Sequence, residues 1–133
     1  MQSEKELIAH RSLIELPQWI EEVFTGREGH PSALKKLLGS FPADFRMITM
    51  KGQSIGLTEV ENLFRHNIGT RPQLRIVIDA CETLAETTES VICRYRETQH
   101  NAGTTLVRWS TVIIDIHAGQ PYWRYLHETA IEE

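Results

Sequence analysis

Three consecutive runs of sequence decide the fold: VICRYRETQH (Val91–His100), TTLVRWSTVIIDIH (Thr104–His117) and PYWRYLHET (Pro121–Thr129). Each run is rich in β-branched and aromatic residues, a composition that is typical of β-strands. The segments between them, Asn101-Ala102-Gly103 and Ala118-Gly119-Gln120, have the small and polar residues of tight turns. We therefore predict three antiparallel strands joined by two hairpin turns.

A long helical region is predicted at the start of the chain. Apolar residues recur at spacings of three and four from Leu13 to Phe24, which gives one apolar stripe within a helix of about Ser3–Thr25. Pro17 lacks a backbone donor and interrupts this pattern. Either the helix bends there or a second helix begins there, and we favour one bent region that ends at Gly26.

The middle of the chain predicts shorter elements. A second helix is expected over Pro31–Gly39 and a short strand over Asp44–Met50. Thr58 and Glu61 have the spacing of a capping box, which predicts a third helix over Thr58–Ile68. After Pro72 the apolar period changes to two and predicts a strand over Leu74–Thr87. Helices followed by strands indicate an α+β fold, a curved antiparallel sheet with helices on one face, in a single domain over residues 1–133.

Composition excludes several functional classes. The formal net charge of −4 is not that of a nucleic-acid-binding surface. No apolar run approaches the roughly 20 residues that span a membrane. The charged start MQSEKELIAHR lacks the apolar core of a signal peptide, so we expect a cytoplasmic protein. The two cysteines, Cys81 and Cys93, are expected to be reduced structural thiols.

Alternation along the strands assigns residues to two faces of the sheet. We expect the face beneath the helices to carry the arginines Arg94, Arg96 and Arg108. We expect the opposite face to carry the large side chains Tyr95, Trp109 and Ile113. A large exposed apolar surface usually marks an interaction site, so a homodimer through this second face is predicted.

The arginines of these strands admit two interpretations. A buried guanidinium needs a partner, because an unpaired buried charge is costly. In the first interpretation Arg96 and Arg108, with Arg94 beside them, bind an acidic ligand in a bidentate manner. In the second they pair with carboxylates of the protein itself, namely Asp79, Glu82, Glu97 or Glu128, or reach solvent at a strand end.

The signals for catalysis are weak. The six histidines show no close ligand spacing, the two cysteines add none, and no phosphate-binding or nucleophile motif occurs, so neither metal nor cofactor is expected. Asp79 and His127 are the candidate acid–base residues. His127 and Glu128 are neighbours in a strand, so only one of the two can enter a given pocket, and His127 has a structural hydrogen-bonding role as its alternative.

Two short segments resemble the association (hub) domain of calcium/calmodulin-dependent protein kinase II. They are ENLFRHN (Glu61–Asn67) and RETQH (Arg96–His100). The order of elements, closing with RWST and GQPYWRYLHET, is similar to the wider nuclear transport factor 2-like superfamily, also called SnoaL-like. The likeness extends over nearly the whole chain in layout, whereas its residue-level motifs are short.

This resemblance implies a cone-shaped, cystatin-like α+β fold in which the sheet wraps around the N-terminal helix and leaves a pocket at its open end. It also implies homodimers formed through the sheet. Arg96 matches an arginine that lines a pocket for small carboxylates in the hub family. The other pocket arginines of that family fall near Val112 and Ala130, so they are not carried over, and Arg108 is our inferred substitute.

The enzymes of the superfamily bear on the alternative function. Ketosteroid isomerase and the polyketide cyclases use a pocket aspartate as base, and Thr49 stands at or beside the position of the isomerase's base. The limonene epoxide hydrolases use an Asp–Arg–Asp group, for which Asp79, Arg108 and Asp115 supply the residue types, although Arg108 and Asp115 alternate onto opposite faces. We therefore predict a dimeric domain that binds a small acidic ligand. The alternatives are an isomerase, cyclase or hydrolase for a small hydrophobic substrate, and a dimerisation module with a filled cup.

Overall fold

In residues 2–131, which the computed structural model describes, six strands form one sheet and the helices pack against one of its faces. The elements, in chain order, are α1 (Glu4–Thr25), α2 (His30–Gly39), β1 (Arg46–Ile48), β2 (Ser54–Gly56), α3 (Leu57–His66), β3 (Arg75–Glu86), β4 (Ser90–Asn101), β5 (Thr104–His117) and β6 (Gln120–Ala130). The sheet order is β2-β1-β6-β5-β4-β3. The predicted α+β fold with a curved sheet is confirmed.

Helix α1 has a well-formed start and end. The Ser3 hydroxyl accepts from the Glu6 N–H and the Glu6 carboxylate accepts from the Ser3 N–H, so two otherwise unpaired donors are satisfied. Gly26 ends the helix in the left-handed conformation, with φ of 69°. The helix continues through Pro17, which confirms the prediction of one helical region.

Helix α3 begins one residue earlier than predicted. Gly56 is its N-cap residue, and the Glu59 carboxylate accepts from the Gly56 N–H at 3.2 Å. The capping box of Thr58 and Glu61 is therefore wrong, because Glu59 already occupies the third helical position. Strand β2 and the parallel pairing of β1 with β6 were not predicted, since strands of three residues are too short to show a period.

Both hairpin turns lie where the sequence predicts them, but each has two residues instead of three. Asn101 pairs with Thr104, and Ala102 and Gly103 between them have φ of 51° and 86°. Positive φ at both central residues is the conformation of the type I′ turn, which suits the twist of a hairpin. His117 pairs with Gln120 in the same way. Removal of one residue from a turn changes which residues face each other across the strands.

The β4–β5 register corrects the predicted faces of the sheet. Arg96 lies opposite Trp109, and Glu97 lies opposite Arg108. Residues paired across strands project to the same face, so Trp109 shares a face with Arg96, and Arg108 shares a face with Glu97. The prediction that all three arginines share one face is wrong, because it assumed a three-residue turn.

A β-bulge in β6 makes a second change of face. Ile113 pairs with Tyr125 and Ile114 pairs with Trp123, so Arg124 is the extra residue on the bulged strand. Trp123 and Leu126, although three positions apart, consequently both point into the core, with 1% and 9% of their surface exposed. Because of this extra residue, the side chains of β6 that follow Arg124 point to the face opposite to the one that regular alternation would give them.

The core lies between α1 and the inner face of the sheet. Its largest side chain, Trp123, donates its indole N–H to the Ser12 hydroxyl at 2.8 Å, which joins β6 to the middle of α1. Cys81 and Cys93 are both free thiols. Burial raises the pKa of Cys93 to about 11, so this thiol is a poor nucleophile at neutral pH. Among residues 2–131, no helix is both long and apolar enough to cross a membrane.

Candidate functional site

An open pocket of about 260 Å³ lies between α1, α3 and the inner face of the sheet. Most of its wall is apolar and aromatic, including Leu16, Ile20, Phe24, Phe45, Val60 and Phe64. Small-molecule sites in proteins typically combine walls of this kind with a few convergent polar groups.

Most polar groups of the pocket come from alternate positions on adjacent strands. Strand β4 supplies Tyr95, Glu97 and Gln99, β5 supplies Arg108, and β6 supplies Glu128. Alternation along β4 places its three residues on one face, and the bulge in β6 directs Glu128 to the same face. These five side chains together form one polar patch on the inner face of the sheet.

Arg108 lies between two carboxylates, and we name these three side chains the acid–arginine cluster (Glu97, Arg108 and Glu128). Arg108 donates to Glu97 Oε2 from Nη2 at 2.5 Å and from Nε at 3.2 Å, while its Nε is 3.4 Å from Glu128 Oε2. The side chains of Glu97, Arg108 and Glu128 are only 5%, 15% and 12% exposed, respectively. With both carboxylates ionised, the cluster has a formal charge of −1.

Burial changes the proton affinities within this cluster. It raises the pKa of Glu128, and the neighbouring Glu97 carboxylate acts in the same direction while Arg108 opposes it. Burial by itself would lower the pKa of Arg108, but Glu97 and Glu128 outweigh it and the pKa is raised. Glu128 is therefore a pocket carboxyl group that holds a proton to higher pH than an ordinary glutamate.

Two further polar residues adjoin the cluster. Gln99 donates from Nε2 to Glu97 Oε2 at 2.6 Å. Burial raises the pKa of Tyr95 well above its usual range, with a contribution from the Glu97 carboxylate, so the phenol stays neutral at physiological pH. Within the described part of the chain, the buried Ser110 hydroxyl has no hydrogen-bond partner of good geometry.

Arg94 and Arg96 lie outside the pocket, so their predicted position beneath the helices is wrong. Arg96 binds Asp79 in a bidentate manner, with distances of 2.8 Å and 2.6 Å, and Arg94 pairs with Glu82. Both guanidinium groups lie over the Trp109 ring on the outer face. Arg108 alone of the three predicted arginines lines the pocket. In all three cases the neighbours are carboxylates of the protein, as the second interpretation expected.

Neither candidate acid–base residue lies in the pocket. Asp79 is on the outer face, where the hydrogen bond from Arg96 lowers the pKa of this carboxyl group. His127 is exposed, and its Nδ1 is 3.2 Å from the Tyr125 hydroxyl. The prediction that His127 and Glu128 point to opposite faces is confirmed, and Glu128 is the one that enters the pocket.

The structure contains a carboxylate–arginine–carboxylate group, but not the predicted one. Arg108 is common to both sets, whereas Asp79 binds Arg96 and Asp115 binds Arg124 at 2.8 Å. The sequence signal for the actual set was present, since Glu97 and Glu128 were among the expected arginine partners. The sequence did not indicate the register between the strands, and this register decides which carboxylates lie next to Arg108.

The mouth of the pocket has a different chemical character from the cluster. Its exposed lining includes Leu63 of α3, Leu106 of β5 and Arg71 of the connection between α3 and β3.

No group of three or more His, Cys, Asp or Glu side chains in residues 2–131 is arranged to hold a metal ion.

Solved structures identify the family of this chain. An NTF-2-like protein of unknown function from Pseudomonas aeruginosa is 34% identical, with 94% of this chain and 99% of that chain covered and a TM-score of 0.87. The chain belongs to the NTF-2-like family. The predicted nuclear transport factor 2-like resemblance is thereby confirmed. No family model matches the chain, and no curated protein sequence matches it.

More distant NTF-2-like structures share the fold alone. A ketosteroid isomerase-like protein from Erwinia carotovora atroseptica is 10% identical, with 100% of both chains covered and a TM-score of 0.69. A candidate calcium/calmodulin-dependent kinase II association domain from Exiguobacterium sibiricum is 13% identical, with 100% of this chain and 98% of that chain covered and a TM-score of 0.63. A ketosteroid isomerase-like protein and a candidate kinase association domain thus share the fold of this chain.

Proposed function

We propose that this NTF-2-like chain binds a small, largely apolar molecule in its pocket. The observation that carries the proposal is the acid–arginine cluster, a buried polar patch on the sheet wall of a pocket whose lining is mostly apolar. The apolar body of the ligand gains free energy from burial, and the cluster orients its polar group.

The ligand group that meets the cluster is uncharged in this proposal. Arg108 is already shared by two carboxylates, and a ligand carboxylate placed beside it would meet the formal charge of −1 of the cluster. A hydroxyl, carbonyl or amide group can exchange hydrogen bonds with Glu97, Arg108 and Glu128 without this repulsion. The acidic ligand predicted from the sequence is therefore not assigned to Arg108.

Binding is tested by titration with 4-phenylbutan-1-ol, followed by NMR chemical shifts. Leu63→Trp at the pocket mouth should block binding, whereas Leu7→Trp is the matched control, because Leu7 is also on a helix and is similarly exposed (51% against 48%) but does not line the pocket. Shift changes confined to pocket residues of the wild type and the control support the proposal. Binding that is unaffected by Leu63→Trp would contradict it.

A second candidate function is acid–base catalysis by Glu128 on a small hydrophobic substrate. The raised pKa of this buried carboxyl group within an apolar pocket favours it. A general probe is 5-nitrobenzisoxazole. A carboxylate base takes its ring C–H proton, the electrons of that bond form the C≡N bond of a nitrile, and the N–O bond breaks with its electron pair on a coloured phenolate.

In this assay Glu128→Gln should lower the rate by about 100-fold, because an amide cannot accept the proton. Glu61→Gln is the control, since Glu61 is on α3 and does not line the pocket. Equal rates for the wild type and Glu128→Gln would contradict catalysis by Glu128.

We also propose that two copies of the chain pair through the outer face of the sheet. Trp109 and Ile113 are only partly buried there, and Ile113 lies beside Tyr125 of the neighbouring strand. Apolar area of this kind is a common basis for self-association. Tyr95 is removed from the predicted interface, because its ring is buried in the core against Trp123.

A further inference from the structure

We propose that Arg71 binds the anionic group of an amphipathic ligand at the mouth of the pocket. The ligand class is a small organic monoanion with an apolar body, its charge at Arg71 and its body along the aromatic wall. This inference deepens the proposed small-molecule function and rests on it.

The backbone around Arg71 is held against the end of α1. The Arg71 N–H donates to the Phe24 carbonyl at 2.9 Å, and the Arg71 carbonyl accepts from the Leu74 N–H at 3.1 Å. Gly69, two residues earlier, donates to the Val23 carbonyl at 3.0 Å. A Cβ added at Gly26 would lie 2.9 Å from the Gly69 Cα, so the two loops touch. Arg71 therefore starts from a fixed backbone position at the pocket edge.

The Arg71 side chain lies at the edge of the pocket, over the ring of Phe24. Its guanidinium carbon is 5.1 Å from the centroid of the Phe24 ring, and both residues line the pocket. Stacking on an aromatic face orients the guanidinium group and leaves its edge free to donate hydrogen bonds. The group is thus positioned before a ligand arrives.

Arg71 differs from the other arginines discussed above in its partners. Arg94, Arg96 and Arg108 each pair with a carboxylate of the protein. Across residues 2–131, no carboxylate lies within salt-bridge distance of Arg71, and its side chain makes no hydrogen bond there. Arg71 is therefore the pocket-lining cation of this region whose charge remains available to a ligand.

The lining charges give the ligand one favoured orientation. With Glu97 and Glu128 ionised, the acid–arginine cluster has a formal charge of −1 on the sheet wall, whereas Arg71 contributes +1 at the mouth. An anionic group is repelled from the first and attracted to the second, and the apolar wall lies between them. The monoanion should therefore enter with its apolar body first and keep its charge at the mouth, where water also solvates it.

The test uses three probes with the same phenylbutyl frame: 4-phenylbutanoate, 4-phenylbutan-1-ol and 4-phenylbutylammonium. Dissociation constants are measured by NMR titration for the wild type, Arg71→Gln, Arg71→Lys and Arg65→Gln. Arg65 is the matched control, because it is an exposed arginine of α3 that does not line the pocket.

We expect Arg71→Gln to weaken binding of the butanoate by about fivefold and to leave the alcohol unchanged, because an exposed ion pair contributes little but measurably. Arg71→Lys should recover part of the loss, and Arg65→Gln should change no affinity. Added salt should weaken binding of the butanoate to the wild type and have little effect on binding to Arg71→Gln.

Three results would overturn the inference. Equal weakening of the anion and the alcohol by Arg71→Gln would indicate a general packing role. An equal effect of Arg65→Gln would indicate non-specific attraction. If the ammonium probe binds most tightly and its affinity does not depend on Arg71, the acid–arginine cluster determines which charge the pocket prefers. In each of these three cases the proposed small-molecule function stands. If none of the three probes binds, the proposed function fails together with the inference.

Discussion

Glu97 and Arg108 face each other across β4 and β5 and share two hydrogen bonds, of 2.5 Å and 3.2 Å, to one carboxylate oxygen. The pair is buried at the wall of the pocket, and Glu128 approaches the same guanidinium group from β6. One arginine therefore neutralises part of the charge of two buried carboxylates. The free energy of unfolding and the pKa of Glu128 both depend on this arrangement.

Arg108→Ala should be strongly destabilising, by about 3–5 kcal/mol, because it leaves two buried carboxylates without a cation. Arg96→Ala is the control on the outer face, where the ion pair with Asp79 is exposed, and its effect should be much smaller. Urea unfolding at neutral pH measures both. Similar losses for the two variants would show that burial of the pair does not set its importance.

Glu128 should reduce stability as pH rises. Its folded-state pKa lies above the ordinary value of 4.5, so between these two values the folded state binds more protons than the unfolded state, and the free energy of unfolding falls with rising pH. Glu128→Gln removes this contribution.

The free energy of unfolding of Glu128→Gln minus that of the wild type should therefore increase as the pH rises from 4.5 towards neutrality. Urea unfolding across this range measures it, and a ¹³C NMR titration of the Glu128 carboxyl group locates the pKa directly. A difference between the two proteins that is independent of pH would contradict the raised pKa.

Disruption of the outer sheet face should produce monomers. Ile113→Lys places a charge in the centre of the proposed interface, whereas Leu7→Lys places the same charge on the exposed side of α1. Analytical ultracentrifugation should give a dimer for the wild type and Leu7→Lys, and a monomer of 15.3 kDa for Ile113→Lys. A wild-type monomer at micromolar concentration would refute self-association through this face.

Ala102→Gly should stabilise the β4–β5 hairpin. Ala102 has φ of 51°, a left-handed conformation that costs an L-residue about 1 kcal/mol and glycine almost nothing. We expect a net gain of about 0.5 kcal/mol, since glycine also adds freedom to the unfolded chain. Ala85→Gly, within β3, should instead lose stability. Thermal unfolding compares the two, and a loss in Ala102→Gly would contradict the turn geometry.

Much of the local structure was predictable. Ser3 and Gly26 define the ends of α1 through hydrogen bonds that involve only nearby residues. Alternation within β4 correctly separates Arg96 from Glu97, because this pattern depends on the strand alone. The expectation that buried arginines need partners led to a set of four carboxylates, and this set includes Glu97 and Glu128, the partners of Arg108.

The composition of the site was not predictable to the same degree. The predicted binding residues Arg94 and Arg96 lie on the outer face, and Glu128 enters the pocket in place of His127. The two-residue turn at Ala102-Gly103 places Arg94 and Arg96 on the face opposite to Arg108, and the bulge at Arg124 places Glu128 on the same face as Arg108.

The sequence by itself determined the order of the helices and the long strands, the positions of the hairpin turns and which residues alternate within each long strand. Only the tertiary structure decided which faces of neighbouring strands coincide, and hence which charges meet in the pocket. The reason is the period of two along a β-strand: a shift of one residue at a turn or bulge sends every following side chain to the opposite face, and such a shift is set by pairing with another strand.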